Sequence, residues 1–182
     1  RSKISWKAYA FMMNALASDF SDRGDVVYRF VAYGFTMGKQ VCEALQLPCV
    51  KRIFAINRAV QNEAHYFNEF LRFQEVAQEP SLLLGVIEPR HHVIPNLMQH
   101  FGERFIIYDK THQEAAFHQA DGSWELRLLT GQEAKKLEEL TEKQEEYADL
   151  WKTFFDHIAI VERKNQKLQT NMLPLHYRKY MT

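Results

Sequence analysis

The sequence predicts an α+β protein, predominantly α-helical, with a long-helix body and a small antiparallel β-sheet inserted before the last long helix. Apolar residues recur at three- and four-residue spacing through residues 5–78. Between residues 82 and 129 the period shortens to brief apolar runs separated by turn residues, and after Thr130 the helical period returns. Seven Gly and five Pro in 182 residues leave few breakers, which suits long regular elements. The expected organisation is a single domain: helical over 1–79, a small α/β insertion over 80–130, and a long helix with a basic tail over 131–182.

The first helix is expected over residues 5–17, with Trp6, Tyr9, Ala10, Met13 and Leu16 forming one apolar face. Ser21, Asp22 and Gly24 end it. Asp25 then opens a second helix to about residue 45, in which Gly34 and Gly38 suggest close approach by a neighbouring backbone. Pro48 begins a third helix that meets no breaker before about Gln78. Its stripe of Ile53, Ile56, Val60, Ala64, Phe67 and Leu71 marks it as the spine of the domain. Strands are expected at 82–87, 104–108, 115–118 and 124–129, with a short helix at 94–101. Ala120-Asp121-Gly122-Ser123 should turn the chain between the last two strands. Leu137, Leu140, Tyr147, Trp151, Phe154, Ile158 and Val161 stripe the final helix.

Composition excludes several classes. The hydrophobic share of 46% and charged share of 25% are those of a globular chain, not a disordered one. No apolar run is long enough to span a membrane, so no membrane partner is expected. Lys plus Arg number 23 and Asp plus Glu 23, which argues against a uniformly basic coat but not against a local patch. Cys42 and Cys49 have no second pair with which to build a zinc knuckle. Two thiols and no secretory signal suit a reduced, cytoplasmic location. The chain opens at Arg1 without Met and reads as part of a longer protein.

Beside the apolar stripe of the third helix runs a polar ridge: Arg58, Asn62, His65, Glu69 and Arg72, spaced 4, 3, 4 and 3. On one continuous helix, Glu69 could hold both His65 and Arg72. His65 and Glu69 are the candidate catalytic pair, for general acid/base work. Arg58, Asn62 and Arg72 are candidate phosphate or nucleic-acid contacts. A polar seam satisfying itself between helices accounts for the same spacing.

The C-terminal end offers a second candidate surface. Residues 131–150 hold seven acids against three lysines, whereas 151–182 hold six bases against two acids. Arg163, Lys164, Asn165, Gln169 and Tyr177 could contact phosphates and stack bases there. Cations placed favourably at a helix C-terminus explain the same run. His65 with Glu69, and the histidines at 91, 92, 100, 112 and 118, form no HExxH or CxxC pattern, so no metal and no cofactor is expected. Neither GxSxG, a Walker loop nor GxGxxG is present.

Several phrases occur together: Arg58-x-x-x-Asn62-Glu63-Ala64-His65, Phe70-Leu71-Arg72-Phe73, Ile87-Glu88-Pro89 and His100-Phe101-x-x-Arg104-Phe105. Leu150-Trp151-x-x-Phe154-Phe155, Arg163-x-Asn165-x-x-x-Gln169 and Leu173-Pro174-x-x-Tyr177 follow in order. The set resembles a bacterial family of unknown function described as DNA metabolism or repair proteins. Members are typically encoded beside a radical-SAM protein of DNA modification or repair. In some proteins the domain is fused to a uracil-DNA-glycosylase-like domain. The resemblance spans nearly the whole chain, most strongly 51–182, and the family carries an N-terminal segment that this chain lacks. It implies a DNA repair or modification protein with a radical-SAM partner, and DNA as a further partner. A non-enzymatic adaptor for that partner is the alternative, and a metal-assisted hydrolase a third.

Overall fold

The computed structural model describes residues 5–142, apart from 77, 78, 99 and 103. The elements in order are α1 (Trp6–Ala17), α2 (Arg23–Met37), a 3-10 turn (Gly38–Glu43), α3 (Pro48–Phe70), β1 (Phe73–Val76) and β2 (Glu79–Ile87). They are followed by α4 (Ile94–Leu97), β3 (Phe105–Asp109), β4 (Glu114–His118), β5 (Trp124–Leu128) and α5 (Gly131–Glu142). No helix among the described residues is long and apolar enough to cross a membrane. The chain divides into two compact units, one of Arg1–His65 with Pro89–Asn96 and the other of Tyr66–Glu88 with Leu97–Thr182.

In the first unit, Ser5 caps α1 by accepting the Ala8 N–H at 3.2 Å. The helix sits with its expected face outward. Trp6 is 81% exposed and Leu16 50%, with Tyr9 and Met13 also exposed, while Ala8, Phe11, Asn14 and Ala15 are buried. Two apolar stripes competed on α1. The buried one pairs small alanines with an aromatic: Phe11 meets Phe54 edge-on, with ring centres 4.5 Å apart. Asn14 on the same face donates to Asn57 Oδ1 at 2.8 Å. Burial of the stripe carrying Asn14 thus satisfies a polar group that the Trp6 stripe lacks.

α2 stops at Met37 rather than near residue 45, because Gly38 takes φ +63° and leads into the 3-10 turn. A left-handed φ of that kind strains any residue with a Cβ. Gly34 is not a point of tight approach, since an added Cβ would meet Val41 only at 3.9 Å. The first unit's core joins Ala8, Phe11 and Ala15 to Val26, Phe30, Val41, Val50, Ile53 and Ile56.

α3 opens at Pro48, where a missing N–H costs nothing. Ile53, Ile56, Val60, Ala64 and Phe67 are all buried, as the spacing required. The helix ends at Phe70 rather than at Gln78. Residues 73–76 pair antiparallel with β2 instead, Phe73 opposite Gly85. The Phe73 ring packs 4.9 Å from Phe101 and 5.3 Å from Phe105. Any Cβ at Gly85 would come within 3.1 Å of that ring, so glycine makes the cross-strand contact feasible. A local helical pattern without a breaker yields here to ladder hydrogen bonds and an aromatic cluster.

The sheet runs in the order β1-β2-β3-β4-β5, and it is mixed rather than antiparallel throughout. β2 and β3 are parallel, with Leu83 opposite Phe105, and the remaining pairs are antiparallel. Parallel neighbours need a long return, which the connection over 88–104 provides. Only Ile94–Leu97 of that connection is helical, shorter than the 94–101 expected. β3 is buried along its whole length and β5 exposed along its own, as suits a central and an edge strand. Leu137, Leu140 and Ala134 of α5 pack with Val76, Leu84, Val86, Ile106, Tyr108 and Ala115. α5 starts with a reciprocal cap: Thr130 N–H donates to Glu133 Oε2 at 2.8 Å, and Glu133 N–H to Thr130 Oγ1 at 3.4 Å. The stripe from Tyr147 to Val161 lies outside the described residues.

Two substitutions test the assignment of the α1 face. Phe11→Ala should cost about 3 kcal/mol in denaturant melts, and Leu16→Ala less than about 0.5 kcal/mol. The reverse ranking would mean that α1 is turned the other way. Phe67→Ala, at a position 1% exposed, should cost about 3–5 kcal/mol.

Candidate functional site

Burying the Ile53–Phe67 stripe decides where the ridge points. Arg58, Asn62, His65 and Glu69 are all exposed, so they line the solvent face of α3 rather than a seam between helices. Arg58, Asn62 and His65 belong to the first unit, and Glu69 follows four residues on along the same helix. Arg72 is exposed but lies beyond Phe70, in the link to β1, so helical spacing no longer aligns it with Glu69. Arg163, Lys164, Asn165, Gln169 and Tyr177 lie outside the described residues.

Charge divides unevenly between the units. The first holds ten Lys and Arg against five Asp and Glu, a balance of +5 that the neutral whole-chain total conceals. One of those five acids, Glu63, is buried. Lys51 and Arg58 are exposed on α3, and Arg90 is exposed in the 89–96 segment. The Arg52 and Arg90 guanidinium carbons lie 4.8 and 5.1 Å from the centre of the Phe20 ring. Asp22 takes Arg52 bidentately at 2.6 and 2.9 Å, and that bond holds its carboxyl below the usual carboxylate range.

Sequence reasoning missed the buried polar cluster of this unit. The Glu63 carboxylate, 4% exposed, accepts the Arg90 N–H at 2.9 Å and the His91 N–H at 2.8 Å. His91 is also buried, and its Nδ1 accepts the Asp19 N–H at 3.1 Å, which puts the neutral ring's proton on Nε2. Asn96 donates to Asn14 at 3.2 Å, Asn14 to Asn57, and Asn57 to Gln61 at 3.1 Å. A signal was present. Glu63 stands three residues after Val60 and four before Phe67, and Asn57 four after Ile53, so both fall inside the apolar stripe. A carboxylate there has to find donors.

A second cluster sits at the β3–β4 turn. Asp109 is fully buried, with Oδ1 accepting the N–H groups of Thr111 and His112 at 2.8 and 3.1 Å. Its Oδ2 lies 2.6 Å from His112 Nδ1. Burial pushes the Asp109 carboxyl above its ordinary value, against the opposing pull of the His112 hydrogen bonds. Tyr108, whose OH lies 3.2 Å from Gln113 Nε2 and 3.4 Å from Glu138, is likewise raised by burial.

Two consequences can be measured. Glu63→Gln keeps one acceptor where two N–H groups need one each, and should cost about 1–3 kcal/mol. Asn62→Ala, one residue away on the solvent face, should cost less than about 0.5 kcal/mol. Equal costs would refute the division between core and ridge. Asp109 binds its proton more tightly folded than unfolded, so its contribution to stability is complete below the ordinary carboxylate value and is lost as pH rises through the raised one. Thermal melts should show this slope in the parent and lack it in Asp109→Asn; identical slopes would contradict it.

A family model for a domain of unknown function, DUF4130, matches residues 21–182. Neither a curated protein nor a solved structure matches the chain. The match covers all but the first twenty residues, including α2, α3, the whole sheet and α5. The chain therefore belongs to the DUF4130 family of unknown function.

Proposed function

We propose that this protein acts on DNA in repair or modification, beside a radical-SAM partner, and that the solvent face of α3 is its nucleic-acid contact. The observation that carries the reading is the exposed row of Arg58, Asn62 and His65 on a unit with a charge balance of +5. A rigid helix with a buried opposite face holds such side chains at fixed spacing. In this reading Arg58 grips a phosphate, and the Asn62 amide contacts sugar or base. His65 exchanges a proton or binds an anion, and Glu69 is the second candidate acid or base. Arg72, and Arg163, Lys164, Asn165, Gln169 and Tyr177 of the C-terminal segment, are further candidate contacts with DNA. DNA and the radical-SAM protein enter through the family resemblance of the motifs.

A second reading has its own observation. Trp6, Tyr9, Met13 and Leu16 leave an apolar stripe exposed along α1, as on a non-enzymatic adaptor that binds its partner through that face.

Fluorescence anisotropy with short single- and double-stranded DNA tests the first reading. Affinity should fall steeply with salt, and Arg58→Ala should lower the slope of log K against log salt by about one. Absence of binding at low salt would discard the DNA contact and leave the adaptor.

A further inference from the structure

At the β3–β4 turn of the second unit, donor groups suited to a metal ion converge on a rigid frame. Asp109 and Glu114 face each other across the ladder as the pair that closes the hairpin. His112 lies in the turn and Glu114 is the first residue of β4. A ring nitrogen of His112 and a carboxylate oxygen of Glu114 lie within 4.8 Å of one another. The residue between them, Gln113, takes φ +55°. It is held there on several sides: its amide donates to Lys110 O at 2.8 Å, and its carbonyl accepts the Leu129 N–H at 2.8 Å.

We propose that His112 and Glu114 bind a divalent transition-metal ion of the zinc class, with Asp109 as the carboxylate that orients the imidazole. Three features support this assignment. Carboxylate–histidine pairing is the arrangement that fixes ring orientation and raises ligand basicity in metal sites, and Asp109 Oδ2 supplies it at 2.6 Å from His112 Nδ1. With Nδ1 engaged by Asp109, the ligating nitrogen is Nε2. Imidazole with carboxylate suits zinc and its neighbours, whereas magnesium and calcium select oxygen donors. Bonds of about 2.0–2.2 Å to a tetrahedral ion would set the two donors about 3.4 Å apart. The His112 side chain, 15% exposed beside the buried Asp109 and Glu114, gives the ion its approach. The sequence offered no metal motif, because these donors come from a turn and a strand end rather than from one helix.

Zinc alone is the probe, titrated into the full chain against a chromophoric chelator. The parent should bind zinc, with His112→Gln and Glu114→Gln each weakening it at least about tenfold and Asp109→Asn about 10–100-fold. Excess magnesium should not displace the zinc. Failure of the parent to bind, unchanged affinity in His112→Gln and Glu114→Gln, or displacement by magnesium would each overturn the assignment. Circular dichroism in chelator checks that each variant folds. Should one fail to, zinc-induced shifts of the His112 ring resonances in the parent decide the matter: a shift upholds the site, and an unmoved ring overturns it.

Discussion

The rotation of α3 about its own axis is the constraint on which the first unit depends. Ile53, Ile56 and Val60 fix it by burial, and Glu63 fixes it again by hydrogen bonding to the backbone of Arg90 and His91. The two devices differ in kind. Apolar contact is indifferent to small rotations, but a carboxylate that must accept two N–H groups is not. Once the angle is set, Arg58, Asn62 and His65 can only face solvent. The ridge is thus a consequence of the core.

Glu63 also organises the segment it holds. Its two acceptors stabilise the backbone at Arg90 and His91, and the His92 N–H donates to Ala17 O at 2.9 Å. The Arg90 side chain then reaches the Phe20 ring, which Arg52 also approaches. A buried polar network thereby places exposed cations. Such networks stabilise only when their members are satisfied, and the Asn96–Asn14–Asn57–Gln61 chain continues the same bonding across three parts of the unit.

The helices and most strands were legible because their periods differ, and Pro48 and Thr130 mark helix starts by local chemistry that needs no partner. What escaped the sequence was decided at a distance. Residues 73–76 carry a helical pattern but find a strand partner and an aromatic cluster around Gly85. α1 offers two apolar stripes, and the choice fell to the one bearing Asn14, whose partner lies 43 residues away. The parallel β2–β3 pair depends on the route of a connection that no short window reveals. For the candidate site, the ridge from Arg58 to Glu69 was readable as helical spacing, and its exposure was not. Glu63 was readable as a carboxylate within an apolar stripe, whereas Asp109 and His112 meet only because a turn closes.

The central proposal is that the solvent face of α3, rather than the apolar face of α1, meets nucleic acid. A photo-crosslinking side chain placed at Asn62 or at Met13, both exposed, separates the two faces directly. With radiolabelled DNA and low salt, the account predicts a DNA adduct from position 62 and little or none from position 13. Adducts of equal yield from both positions, or from position 13 alone, would contradict it.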